Sequence, residues 1–106
     1  MKVGLAQINT TVGDFAGNVA RLRDGYDESA AAGAEIVVAP ELAITGYPPR
    51  DLLLKSGFVE GNLAALDELA AHVGEAALVV GHVGKNEKQP GRAATNAVSL
   101  IQNGKI

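Results

Sequence analysis

The stretch Gly33-Ala34-Glu35-Ile36-Val37-Val38-Ala39-Pro40-Glu41 decides the fold. Ile36, Val37 and Val38 form an unbroken β-branched run, of the kind buried on both faces of a sheet whose strands are joined by helices. Gly33 can take the left-handed turn that stops a helix, and Pro40 removes a ladder donor and ends the pairing. The strand so predicted covers Glu35 to Ala39. On its amino-terminal side, Asn18 suits a helix N-cap, and Val19, Leu22, Tyr26 and Ala30 recur at helical spacing, with Arg21, Arg23, Asp24 and Asp27 on other faces. The spacing predicts a helix from Val19 to Ala32. Before it, Val3 to Ile8 reads as a buried strand, separated from the helix by the turn-rich segment Thr10 to Gly17.

On the carboxyl-terminal side, glycine and paired prolines make Thr45 to Asp51 a loop, which runs into Leu52-Leu53-Leu54-Lys55. From Phe58, the apolar stripe Val59, Leu63, Leu66, Ala70 and Val73 predicts a second helix closed by Gly74. Ala77 to Val83 predicts a third strand. After a polar connection over Gly84 to Gly91, Arg92 to Gln102 predicts a fourth, in which Ala97, Ser99 and Ile101 alternate with Asn96, Val98 and Leu100. The order β-α-β-α-β-β is that of an α/β sheet with helices packed on a face, because right-handed crossovers place them there.

Composition agrees with a packed layer. The 106 residues fit one compact domain, able to bury roughly 65% of the surface its unfolded chain exposes. Hydrophobic residues reach 47% with only 4% aromatic, so the core must be built from Ala, Val, Leu and Ile. The net charge of −3, with Lys and Arg scattered, gives no electrostatic footprint for nucleic acid or an anionic membrane. The absence of cysteine excludes disulfides and thiolate metal sites. No apolar run approaches the roughly 20 residues of a membrane span, and no signal-peptide pattern opens the chain, so the expected location is cytoplasmic. Asn103-Gly104 is the signature of a type I′ hairpin turn, but only Lys105 and Ile106 follow it. A turn without its return strand would leave an open edge, so the sequence is expected to be part of a longer protein.

In sheets of this kind ligands gather at the carboxyl ends of the strands. Three segments qualify: Asn9 to Gly17, Pro40 to Asp51, and the residues after Gly81. The second carries the richest chemistry. Glu41 follows the central strand, and a carboxylate held at the rim of a core by a rigid element would have its pKa raised by partial burial toward the range of a general base. The same position suits an ion-paired or capping carboxylate. Tyr47 could line an amide-binding pocket with its ring and hydroxyl, or pack on Pro48 and Pro49. Arg50 and Asp51 read as a loop-stabilising charged pair or a helix cap. His72 and His82 lack a partner at ligand spacing, so no metal is expected in this domain. Gly13 and Gly17 match neither phosphate-loop pattern, so neither ATP nor a dinucleotide is expected to bind this part.

Several of these strings resemble one family. Val3 to Asn9, Val12-Gly13-Asp14, Gly17-Asn18 and Gly33 to Leu42 resemble the start of the nitrilase, or carbon-nitrogen hydrolase, superfamily. The longer string Thr45-Gly46-Tyr47-Pro48-Pro49-Arg50-Asp51-Leu52-Leu53-Leu54 resembles the glutaminase domain of bacterial glutamine-dependent NAD synthetases. The resemblance covers nearly the whole chain, with Gly81 and Asn96-Ala97 fitting more loosely. It implies the N-terminal half of a four-layer α-β-β-α sandwich and a Glu-Lys-Cys triad in which Glu41 is the proton acceptor. It also implies Tyr47 near the glutamine pocket, a homo-oligomer, and a further ATP- and magnesium-dependent domain that amidates deamido-NAD with the released ammonia. The sequence departs from this pattern in having no cysteine, and Lys85, Lys88 and Lys105 do not match the family's lysine motif. The fragment alone is therefore expected to be inactive. A stand-alone nitrilase-type amidase would share Pro40-Glu41-Leu42 but has less claim to the Gly46 to Leu54 string, and a non-catalytic α/β binding module would account for the missing cysteine.

Overall fold

A computed structural model describes residues 1–55, 57–85 and 94–106. Strand β1 is Val3–Leu5, helix α1 Phe15–Ala31, strand β2 Ile36–Val38, helix α2 Phe58–His72, strand β3 Ala77–Lys85 and strand β4 Ala94–Ile101, with a short 3₁₀ turn over Arg50–Leu54. The strands lie in the order β1-β2-β3-β4, the first three parallel and β4 antiparallel to β3. The predicted order β-α-β-α-β-β is therefore the observed one. The polar connection expected over 84–91 falls mostly on residues 86–93, as does the expected start of the fourth strand at Arg92. Those positions lie outside the described residues.

Val37 sits at the centre, in register between Gly4 and Leu78, and is fully buried. Helices α1 and α2 pack on each other over this face, so that Leu22, Leu69, Val37, Leu78, Val80 and Ile101 belong to one apolar cluster. Burying a Leu, Ile or Val side chain contributes about 1.5–3 kcal/mol each, which makes this cluster the main source of stability. Among the described residues, no α-helix packs over the other face of β1 and β2. There Val3, Leu5, Val98 and Leu100 are 51–71% exposed. This corrects the expectation of a buried strand over Val3 to Ile8: β1 is a three-residue edge strand, and its side chains on the helix-free face have no layer over them among the described residues. Ile36 and Val38 on the same face are half-buried for the same reason.

Helix α1 begins four residues before the expected start at Val19. Asp14 is its N-cap, accepting a hydrogen bond from the Gly17 amide at 3.0 Å. Asn18, expected at the cap, instead lies inside the helix, fully buried. Its Nδ2 donates to the carbonyls of Thr11 and Ile44 at 2.8 and 2.9 Å, and its Oδ1 accepts from the Thr11 amide at 2.8 Å. Asp and Asn cap about equally well, so local preference leaves the choice open and these tertiary bonds make it. The Asn103-Gly104 turn forms as expected, with φ of 52° and 77° and a bridge between Gln102 and Lys105. It docks on the end of α2, where the amides of Asn103 and Gly104 each donate at 2.9 Å to the carbonyls of Gly74 and Val73.

Strand β3 outruns β2, and its exposed edge is closed by other groups. The Val79 carbonyl accepts from the Ala39 amide at 2.8 Å and the Gly81 carbonyl from the Ala43 amide at 2.9 Å. At Val83 a side chain takes over: the Val83 amide donates to Asn62 Oδ1 at 3.1 Å, and Asn62 Nδ2 donates to the Val83 carbonyl. Asn62 is fully buried on α2. Substituting Asn62→Leu should destabilise the protein by at least about 2 kcal/mol, since two buried backbone groups lose their partners. Asn62→Asp should be no better, because a carboxylate would face the Val83 carbonyl. Urea denaturation measures both, and a loss under about 0.5 kcal/mol for the leucine variant would contradict this account.

Candidate active site

Because β1, β2 and β3 are parallel, their carboxyl ends open on one side of the molecule. The segment after β2 is built into that end by its backbone. The Gly13 amide donates to the Thr45 carbonyl at 2.8 Å, and Asn18 holds the Ile44 carbonyl, so the first and second strand-end loops are tied together. Ala43, Ile44 and Thr45 are fully buried. Two glycines permit this packing. Gly46 has φ of 80°, and a Cβ there would lie 2.6 Å from the Val12 nitrogen. A Cβ on Gly81 would lie 2.5 Å from the Leu42 nitrogen and 2.8 Å from both Glu41 Cα and the Pro40 carbonyl oxygen. The backbone at Pro40-Glu41-Leu42 thus rests directly on β3. Leu42 follows with φ of 47°, a left-handed conformation uncommon for a leucine, and its side chain is buried with Val59 and Val83.

Glu41 therefore projects from a fixed backbone, but its own side chain is exposed. The expected partial burial is absent among the described residues, because Glu41 lies on the side of the sheet that no helix covers. Its carboxylate Oε1 accepts a hydrogen bond from Asn96 Nδ2 on β4, 55 residues away in sequence. The bland alternatives of an ion-paired or capping carboxylate find no support: among the described residues the ion pairs are Arg21–Asp14 and His72–Asp27, and the helix caps are other residues. The arrangement offers a carboxylate with one neutral donor and free lone pairs, able to take up a proton.

Tyr47 is 65% exposed in the same loop and precedes a cis peptide bond to Pro48. Among the described residues Arg50 and Asp51 form neither the charged pair nor the cap expected of them: both are exposed, and the 3₁₀ turn they open has no side-chain cap. Lys85 ends β3 and Lys105 lies in the terminal turn, while Lys88 falls outside the described residues. His82 is buried and hydrogen-bonded through Nε2 to Ser99 Oγ at 2.7 Å and through Nδ1 to the Val83 carbonyl at 3.0 Å. His72 pairs with Asp27 at 2.7 Å. Among the described residues no three His, Asp or Glu side chains converge as a metal site would need, and no helix is long and apolar enough to cross a membrane.

The sequence profile of carbon-nitrogen hydrolases matches residues 2–106. The chain belongs to the carbon-nitrogen hydrolase family. Among relatives of this carbon-nitrogen hydrolase, the glutamine-dependent NAD(+) synthetase of Thermotoga maritima is 33% identical over the whole chain, which spans 18% of that protein. The synthetase of Synechocystis sp. is 37% identical over 98% of the chain, or 19% of its own length. A crystal structure of a glutamine-dependent NAD(+) synthetase from Cytophaga hutchinsonii superposes with a TM-score of 0.87 at 31% identity, over 97% of this chain and 17% of that one. The chain thus spans less than a fifth of each of these three synthetases, and its sheet and helices are a fragment of the nitrilase-type fold.

Sequence reading gave Asn96 no role beyond a loose fit to the family resemblance and missed its contact with Glu41. Besides that fit, the signal is that asparagine is depleted in strands, so an Asn within the strand Ala94–Ile101 calls for a reason outside the strand. Gly81→Ala should cost about 1–3 kcal/mol, as overpacking against backbone that cannot move aside typically does. Thermal denaturation beside Gly84→Ala, where the nearest clash is the Thr95 side chain and not backbone, separates the two cases. Equal stability of the two variants would remove the close approach at Gly81 as a constraint.

Proposed function

We propose that this chain forms the start of the glutamine-hydrolysing domain of a glutamine-dependent NAD synthetase, with Glu41 as its proton acceptor and Tyr47 beside the substrate amide. The observation that carries this reading is similarity along essentially the whole chain to synthetases of that name, anchored by Glu41 at the end of β2. The nucleophilic cysteine and the lysine of the triad would come from residues outside these 106, since no cysteine is present, and the fragment alone would be inert.

The chemistry proposed for Glu41 is two rounds of proton uptake and return. Its carboxylate takes the thiol proton, and the thiolate sulfur adds to the glutamine side-chain carbonyl carbon. The lysine ammonium stabilises the oxyanion so formed. The carbon–nitrogen bond then breaks, the nitrogen takes the proton from Glu41, and ammonia leaves a thioester. Glu41 next accepts a proton from water as the hydroxyl adds to the thioester, and returns it to the departing thiolate, which releases glutamate. Tyr47, exposed in the same loop as Glu41, would supply a flat wall and a hydroxyl for the substrate.

ATP, magnesium and deamido-NAD belong in this reading to a separate synthetase domain that consumes the ammonia. The described residues of this chain do not fit a metal group, having no converging acidic or histidine cluster, and no step is assigned to one. The proposal includes a cytoplasmic, homo-oligomeric enzyme.

In the full-length enzyme, Glu41→Gln should lower glutamine-dependent synthesis by roughly 10²–10⁴-fold, the usual range for loss of a general base, and leave synthesis from added ammonium intact. Glutamine hydrolysis within a few-fold of wild type would remove Glu41 from the mechanism. Tyr47→Ala should act differently, raising the KM for glutamine several-fold with the ammonium-dependent rate unchanged. An unaltered KM in steady-state assays would place Tyr47 away from the substrate.

A further inference from the structure

We propose that Asn96 is a positioning residue for glutamine hydrolysis, fixing the carboxylate of Glu41 in the orientation from which it takes a proton. This rests on the role proposed above for Glu41. On β4, Ile101 is fully buried and Ser99 bonds the buried His82, so those two face the helices. Strand alternation then places Asn96 on the other face, with Val98 and Leu100 and in register with Val83. Asn96 is exposed there, and its Nδ2 donates to Glu41 Oε1.

Glu41 is thereby held from two sides. Its backbone lies on Gly81, where the approach leaves no space for a Cβ, and the next residue, Leu42, is locked with φ of 47° and its side chain in the core. That fixes Cα but leaves three side-chain torsions free, and a long carboxylate on an exposed face otherwise samples many rotamers. The Asn96 amide removes that freedom. A carboxylate offers about four lone-pair sites, so one donor on Oε1 leaves Oε2 open to a reacting proton. An amide also orients without placing an opposite charge beside the base, which an arginine or lysine would do at the expense of its basicity. General-base catalysis needs the base within hydrogen-bond reach of its proton, and loss of orientation there lowers turnover and not substrate affinity.

The test uses the full-length enzyme with two substitutions. Asn96→Asp keeps the shape but exchanges the donor for an acceptor that repels Glu41, and Asn96→Ala removes the group. Both should lower kcat for glutamine hydrolysis, by roughly 10- to 100-fold, the equivalent of one hydrogen bond to a charged group. The KM for glutamine should stay within twofold, ammonium-dependent synthesis should be unchanged, and the melting temperature should match wild type. Wild-type kcat in Asn96→Asp would overturn the proposal. So would a raised KM at constant kcat, which would make Asn96 a substrate contact, or a melting temperature that falls in step with kcat in both variants, which would make it structural. Glu41→Gln measured alongside separates the two ideas: if it retains hydrolysis the parent reading fails, whereas if it is inactive while the Asn96 variants are normal only the present inference does.

Discussion

The arrangement at the carboxyl ends of the strands depends on how closely two backbones approach at Gly81. With no side chain in the way, Pro40, Glu41 and Leu42 lie directly on β3, and the Ala43 amide reaches the Gly81 carbonyl at 2.9 Å. That contact extends the parallel pairing beyond the point where Pro40 ends β2 proper. It also forces the chain to turn within one residue, which is where Leu42 takes its left-handed conformation. An uncommon backbone state persists only where the surroundings over-determine it. Here the determinants are the core contacts of Leu42, the buried run Ala43 to Thr45, and the hydrogen bonds of that run to Asn18 and Gly13. The outcome is a single carboxylate presented from a rigid base.

Two fully buried asparagines complete the hydrogen bonding that the strands leave open. A parallel sheet with strands of unequal length exposes amides and carbonyls along the longer one, and buried groups of that kind must be paired. Asn62 pairs with both backbone groups of Val83 as a neighbouring strand would, and Asn18 links Thr11 to Ile44 across two loops. Each amide side chain presents a donor and an acceptor on one flat group, which is what a missing peptide unit requires. No buried side-chain polar atom among the described residues lacks a partner, so these networks are satisfied and specify the loop geometry instead of weakening the core.

The two faces of the sheet divide the labour. One is covered by α1 and α2 and supplies stability. The other exposes Val3, Leu5, Val98 and Leu100 and carries the Glu41–Asn96 pair at its rim. In the four-layer sandwich that the family resemblance implies, a second sheet would cover that apolar face. A site at its rim would then be closed in by the same layer that buries the leucines.

The order of elements, the ends of β2, helix α2 and the Asn103-Gly104 turn were legible in the sequence because each has a local cause. β-branched runs, 3.6-residue spacing and the special dihedrals of proline and glycine act within a few residues. The place of Glu41 was legible for the same reason, standing next to Pro40 at a strand end, and the role proposed for it comes from the family resemblance of the strings around it. The helix start was not, since Asp14 and Asn18 are equivalent as local caps, and only the carbonyls of Thr11 and Ile44 draw Asn18 inward. Nor was the exposure of β1, because Val3-Gly4-Leu5 reads alike whether one face is covered or both. The pairing of Asn96 with Glu41 was not legible either, because the two stand 55 residues apart. Sequence alone thus determined which segments become strands and helices and which acid stands at the strand end. Tertiary structure decided what holds that acid, because the contacts that fix it join residues far apart in the chain, and no local pattern encodes a distance between them.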